Sequence, residues 1–301
     1  ATPRRSRLSN MLAPDMTLEQ AQRALSAAFK SADIETASLD ARVLLQAVTG
    51  LTASDIARAP ERLLAAQEIS LLLDYQAQRL RAKPISKILG QREFWGREFQ
   101  VNEHVLDPRP DSETLIEAAL PHLPEGKNLA ILDLGTGSGC LLLTLLAERA
   151  PTRGVGVDLS LEALAVAKAN AQTLGLSGRV QFLHSHWFDA VAGKFDMIIS
   201  NPPYIRDAEM RALDKNVLDY DPHLALHGGA DGLDAYRVII EKAQNHLQPN
   251  GWLVLEIGHR QGDAIGAMMR QSGFLETCGK PDLAGRDRVI MGRKPRAVDR
   301  K

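Results

Sequence analysis

The chain is short of several things, and each shortage excludes something. It has two cysteines in 301 residues, Cys140 and Cys278, each set in apolar or strand-like surroundings. Two isolated thiols make neither a disulfide framework nor a zinc set. They suit a reducing, cytoplasmic home. No apolar run approaches the roughly 20 residues that span a bilayer, so no membrane partner is expected. The opening stretch, ATPRRSRLSNMLAPDM, is basic but holds no apolar core and does not read as a signal peptide. Residues 1–16 are expected to be disordered. Net charge is also scarce: 36 Lys+Arg against 37 Asp+Glu leave −1. That excludes a global basic field for holding nucleic acid by its phosphates, though not a local patch. No internal repeat is visible, and nothing suggests an obligate dimer, so a monomer is expected.

What is present falls into unlike textures. Residues 17–83 hold no convincing strand and are rich in Ala, Leu, Gln, Glu and Arg. Apolar residues recur there at helical spacing: Leu39, Val43, Leu44 and Ala47, then Ile69, Leu72, Leu73 and Leu80. Thr17, Ser38 and Ser54 are candidate N-caps, and Gly50 is a candidate stop. This predicts a small helical bundle domain over 17–83. Residues 84–110 read as a linker, punctuated by Pro84, Gly90, Gly96, Pro108 and Pro110. REFW and REFQV on either side of Gly96 predict a short β-hairpin.

From 111 to 295, strand patterns alternate with helix patterns. Strands are predicted at 129–135, 153–160, 179–185, 195–200 and 251–258, with helices at 139–149, 161–174, 233–247 and 260–272. GFLETCGK and DRVIMGRK predict two closing strands. Near-continuous apolar strands joined by helices mean an α/β fold with a doubly wound, mostly parallel sheet.

The first of these strands runs into ILDLGTGSGC, which puts Gly135, Gly137 and Gly139 at a strand's carboxyl end and a helix's start. Open α/β sheets bind ligands there. A dinucleotide fingerprint fails, because Cys140 stands where its third glycine should be. Asp133, at the mouth of the loop, would repel a pyrophosphate and suit an ammonium or sulfonium. An amino-acid–nucleoside hybrid such as S-adenosylmethionine fits. Asp158, about 20 residues on, is placed to hydrogen-bond a ribose or to cap the helix after it. Trp187 offers a flat surface for an adenine.

The fourth strand ends in Asn201-Pro202-Pro203-Tyr204. Two prolines fix two φ angles and remove two N–H donors. The fourth strand is expected beside the first, so Asn201 would face the glycine loop's crevice. The Asn201 side-chain oxygen and the Pro202 carbonyl are two acceptors, a match for a planar –NH₂. Tyr204 offers a ring to stack on the plane that bears it. The chemistry that follows is in-line methyl transfer from sulfonium to nitrogen.

These residues resemble the amino-methyltransferases of the S-adenosylmethionine-dependent class I fold. Within them, DARVLLQAVTG (40–50), KPISKILGQREFWGREFQVN (83–102), PRPDSETLIE (108–117), HWFD (186–189), SNPPYI (200–205), DYDPHLALHGGADGLDAYR (219–237) and PDLAGRDRVIMGR (281–293) resemble the release-factor glutamine methyltransferases, the HemK/PrmC family. The resemblance implies a class I methyltransferase sheet over 111–295. It implies that the helical domain docks a peptide chain release factor, whose Gly-Gly-Gln glutamine is the substrate. It implies cofactor contacts at Asp133, Gly135, Thr136, Gly137, Ser138, Gly139, Asp158, Leu159, His186, Trp187 and Asn201. It places the amide on Asn201, Pro202, Pro203 and Tyr204. His186 stands where the family often has an acid, and Asp221 where it often has a longer one.

Three other readings share parts of this pattern. An adenine-amino methyltransferase on DNA or RNA needs a basic recognition region, for which Arg79, Arg81, Lys83 and Lys87 are the available cations. A ribosomal-protein glutamine methyltransferase keeps the chemistry and changes the dock. A silent cofactor-binding module would bind and transfer nothing. No direct nucleic-acid substrate and no metal are expected.

Overall fold

The computed structural model describes residues 12–296 and divides the chain into two compact units, 1–89 and 90–301. Residues 1–11, most of the lead read as disordered, lie outside the described residues. Residues 12–16 depart from that reading, because Leu12 is buried in the core of the first unit.

The first unit holds α1 (Leu18–Lys30), α2 (Ala37–Thr49), α3 (Ala53–Arg58), α4 (Ala66–Leu80) and α5 (Ile85–Leu89). Thr17 and Gln20 cap α1 reciprocally, each side chain accepting the other's backbone N–H. Gly50 stops α2 in the left-handed conformation, φ 68°. Two caps differ from expectation. Thr52, not Ser54, caps α3, because Asp55 completes its reciprocal pair. α2 starts at Ala37 without a side-chain cap, leaving Ser38 inside the helix. Leu18, Leu25, Phe29, Leu44, Leu45 and Leu72 form the core. Leu39, Leu73 and Leu80, read as apolar-face residues, are exposed. One nearly buried ion pair, Arg79 Nε to Asp40 Oδ2 at 2.7 Å, ties α4 to α2.

The segment read as a linker is shared out: α5 belongs to the first unit, and the hairpin begins the second. β1 (Gln91–Phe94) and β2 (Arg97–Gln100) are antiparallel. Trp95 and Gly96 turn between them at φ 52° and 68°, the left-handed pair that matches strand twist in a two-residue turn.

The main sheet has seven strands: β3 (Ala130–Leu134), β4 (Arg153–Asp158), β5 (Val180–His184), β6 (Phe195–Ser200), β7 (Leu247–Glu256), β8 (Leu275–Pro281) and β9 (Asp287–Arg293). Their order is β5-β4-β3-β6-β7-β9-β8. β9 runs antiparallel to both β7 and β8, and the other pairs are parallel. α6 (Glu113–Ala119), α7 (Cys140–Glu148), α8 (Leu161–Thr173), α12 (Asp234–His246) and α13 (Gly262–Gln271) cover it. Leu132, Leu134 and Ile198 pack on one side with Tyr236 and Ile239 of α12. Ile131, Met197 and Ile199 pack on the other with Leu115 of α6 and Leu142 of α7. Alternate side chains thus reach two different cores, which is why the strands read as unbroken apolar runs. Each such side chain, fully buried, contributes about 1.5–3 kcal/mol.

Strand order reverses between β3 and β6, so their carboxyl ends open a crevice. Between β6 and α12 lie three short helices that periodicity did not reveal: α9 (Asp207–Met210), α10 (Lys215–Tyr220) and α11 (His223–Leu226).

Candidate active site

A cleft of about 530 Å³ opens at this crevice. Its wall includes Gly135, Thr136, Gly137, Ser138, Asp158, Leu159, His186, Trp187, Asn201 and Pro203. The glycine loop, the end of β4, the turn after β5 and the Asn-Pro-Pro-Tyr motif therefore share one space. Asp133, Gly139, Pro202 and Tyr204, also singled out in the sequence, are not among its lining residues.

The loop is held by its own neighbourhood. Gly135, Gly137 and Gly139 have φ of 72°, 55° and 79°, which L side chains rarely adopt. Asp158 serves two backbone donors, Gly137 N at its Oδ2 and Ser160 N at its Oδ1, both at 2.9 Å. Each carboxylate oxygen keeps a lone pair for a further donor, so the capping and ligand readings coexist. Asn170, which sequence reasoning missed, donates to Ser138 O at 2.9 Å and accepts from Gln100 N at 2.7 Å. It straps the loop to the hairpin from the last turn of α8.

Asp133 is 1% exposed, beneath the loop and not at its mouth. Its Oδ2 accepts from Thr136 Oγ1 at 2.7 Å, and its Oδ1 has no hydrogen-bond partner. Burial pushes its pKa up to about 7; the Thr136 hydroxyl opposes this and the Asp158 charge adds to it. Trp187 sits at φ 50°, an uncommon backbone for a bulky residue, and its ring would stand 3.8 Å from a Cβ on Gly135. His186 is exposed, 3.6 Å from the Asp189 carboxylate. Cys140 also reaches the cleft, but burial pushes its thiol up to about 12. It supplies no thiolate at neutral pH.

The Asn-Pro-Pro-Tyr segment is held from several distant places. Gly228 lies flat on its backbone: a Cβ there would stand 2.8 Å from Tyr204 Cα and 2.9 Å from Pro203 O. Gln261 Nε2 donates to Tyr204 O at 3.2 Å and to Gly232 O at 3.1 Å. The carbonyls of Pro203 and Tyr204 are thus turned to the scaffold. The Tyr204 ring departs from expectation, packing on the core of β6, β7 and α12 instead of standing open to the cleft. Burial pushes its phenol up to about 12, and Arg288 hydrogen-bonds it. An apolar ring with a polar tip is satisfied by that arrangement.

Beneath the motif are two residues that the sequence did not flag. Ser112 Oγ accepts from Asn201 Nδ2 at 3.5 Å. Glu256, at the end of β7, is 2% exposed. Burial pushes its pKa up to about 7; hydrogen bonds from Ser112 and Asn201 and the Arg288 charge oppose this. Arg288 itself pairs with Asp111 at 3.0 Å and Asp282 at 3.2 Å. Asp221 pairs with Arg109 at 2.7 Å and so fastens the 221–223 turn to the cleft's opposite lip.

Among the described residues, no group of His, Cys, Asp and Glu is arranged to hold a metal, and no helix is long and apolar enough to cross a membrane.

Comparison with known proteins agrees with this layout. Residues 112–228 match the methyltransferase small domain family, and residues 20–90 match the PrmC N-terminal domain. A release factor glutamine methyltransferase of Bradyrhizobium diazoefficiens is 43% identical over 282 residues, 92% of this chain and 95% of that one. Its counterpart in Cereibacter sphaeroides is 49% identical over 221 residues, 73% of this chain and 78% of that one. A methyltransferase structure from Pyrococcus furiosus shares the fold, with a TM-score of 0.51 at 20% identity over 74% of this chain and 99% of that one. Identity at this level over nearly the whole length establishes that the chain belongs to the release factor glutamine methyltransferase family.

Proposed function

We propose that this chain methylates the side-chain amide nitrogen of the glutamine in the Gly-Gly-Gln motif of bacterial class I peptide chain release factors, in the cytoplasm, with S-adenosylmethionine as donor. The observation that carries this reading is that Asn201 and the glycine loop line one cleft.

The residues present fit the donor. Asp133 keeps an orphan buried acceptor under the loop, suited to an ammonium. Asp158 keeps lone pairs for ribose hydroxyls, and Trp187 and Leu159 offer apolar wall to a base. Bound there, S-adenosylmethionine supplies a methyl group on a sulfonium.

The chain's own residues do the rest. Asn201 Oδ1 and the Pro202 carbonyl accept the two N–H groups of the glutamine amide. The prolines hold these acceptors rigidly. An amide nitrogen is a weak nucleophile, because its lone pair is delocalised. Positioning it in line with the methyl group supplies most of the acceleration. The two acceptors also stabilise positive charge as it develops on nitrogen. The nitrogen loses its proton during or after transfer.

We further propose that the helical unit docks the release factor. Leu39, Leu63, Leu71, Leu73 and Leu80 leave apolar surface exposed there, which supports the reading.

The test is transfer of labelled methyl from S-adenosylmethionine to a release factor carrying Gly-Gly-Gln. A Gln→Ala variant of that factor and a bare DNA duplex run beside it. Label on the unaltered factor alone is the expected result. Label on DNA would overturn the reading in favour of an adenine-amino methyltransferase.

A further inference from the structure

Glu256 has a task beyond packing. Ser200 of β6 pairs with Leu255 of β7, so the next residues, Asn201 and Glu256, stand side by side, with Glu256 still paired to Val289 of β9. The Glu256 side chain is buried, and its Oε2 has no hydrogen-bond partner. Ser112 and Asn201 face the carboxylate, and Asn201 Nδ2 donates to Ser112 Oγ at 3.5 Å. An ionised carboxylate offers acceptors only. Asn201 can bond to it only by turning its –NH₂ down, which turns its Oδ1 away.

We infer that Glu256 is a positioning residue that, with Ser112, locks the Asn201 carboxamide so that the cleft meets an acceptor and not a donor. This rests on the proposed amide transfer, where a donor at that point would repel the substrate –NH₂. A buried carboxylate with an orphan oxygen is costly. Glutamine or leucine would fill the place without that cost, so the charge marks a use.

Titratable and charged groups face Glu256 from each element around it: Arg288 on β9, Asp111 in the 110–112 turn, Tyr204 after β6, Tyr236 on α12 and Cys140 at the start of α7. Arg288 is the cation among them and favours the ionised form. Once protonated, Glu256 becomes a donor and can hold Asn201 in the flipped orientation. Acid should therefore slow transfer by misorienting Asn201.

The test is a swap in the full-length enzyme. Glu256→Gln should lower kcat about tenfold, the worth of one good hydrogen bond, with KM and cofactor affinity unchanged. It should also abolish the acid limb of the wild-type rate profile. Asn201→Asp, which sets two carboxylates together, should lose about a hundredfold or more. Adding Glu256→Gln to it should regain about tenfold, because the new carboxamide can donate to the new carboxylate. A double variant no faster than Asn201→Asp, or Glu256→Gln at the wild-type rate and pH profile, would overturn the inference. A readout without turnover separates this from failure of the proposed function. In asparagine-labelled protein, the Asn201 side-chain –NH₂ signals should shift with pH in the wild type and stay fixed in Glu256→Gln. Signals that shift alike in both would overturn the lock, whether or not the wild type transfers methyl.

Discussion

Two strands each bring a buried carboxylate beneath the same cleft, and the two are supported in different ways. Asp133 lies one residue before the end of β3, under the glycine loop, and its neighbours Thr136 and Asp158 belong to the same β3–loop–β4 unit. Glu256 ends β7 under Asn201, and its neighbours come from the 110–112 turn, the end of β6 and β9. Both are pushed up to about 7 by burial. One half of the cleft is therefore built locally, and the other is assembled from segments far apart in the chain. A change in the local half should act on cofactor binding and stability. A change in the assembled half should act on transfer.

The sharpest way to break that division is Asn201→Ala. It removes a preorganised acceptor at the reacting nitrogen, so the rate constant for transfer should fall about 10²–10³-fold. Cofactor affinity, measured by calorimetry, should change by less than about threefold. Equal losses in both would mean that the two halves are not separable.

Asp133→Asn comes next and reads out stability. The folded pKa of about 7 lies above the ordinary 3.8. The folded state therefore binds this proton more tightly than the unfolded chain. Stability falls as pH rises from the unfolded value to the folded one, and the full penalty persists above it. The asparagine variant carries no such penalty and can still accept from Thr136. It should be more stable than the wild type by about 2–4 kcal/mol near pH 8, with the gap closing near pH 4. Paired denaturant titrations at the two pH values check it. A gap that does not grow with pH would mean that Asp133 titrates normally.

The same division explains what the sequence disclosed. The glycine loop and the Asn-Pro-Pro-Tyr motif were legible because their chemistry sits in adjacent residues at a strand end. The central strands β3 and β6 were legible because burial on both faces leaves an unbroken apolar run. Ser112 and Glu256 were not, since one serine in PRPDSE and one glutamate in LVLEIG carry no local signal. Only pairing β6 with β7 sets Glu256 beside Asn201. Tyr204 misled for a related reason. Its motif implied a ring for the substrate, while the fold around Arg288 claimed it. α9, α10 and α11 escaped notice because four to six residues do not establish a helical period.

Asp158→Ala probes the local half from its ligand side. It removes the proposed ribose acceptor and two loop bonds. The dissociation constant for S-adenosylmethionine should rise about 10- to 100-fold, the worth of hydrogen bonds to a charged group. Turnover at saturating cofactor should stay within a few-fold. A loss confined to turnover would move Asp158 from the cofactor half to the amide half.

The smallest effect should come from outside the cleft altogether. Leu71 and Leu73 are 40% and 43% exposed on α4, so charging them creates no buried defect, and stability should stay within about 0.5 kcal/mol. If the helical unit docks the release factor, Leu71→Asp with Leu73→Asp should raise KM for the whole factor several-fold, by removing apolar contact area. It should leave turnover, cofactor affinity and the rate on a short Gly-Gly-Gln peptide unchanged. The peptide is the decisive arm, because it reaches the cleft without the dock. Equal losses on peptide and whole factor would place the effect in the cleft and remove the docking role from these two positions.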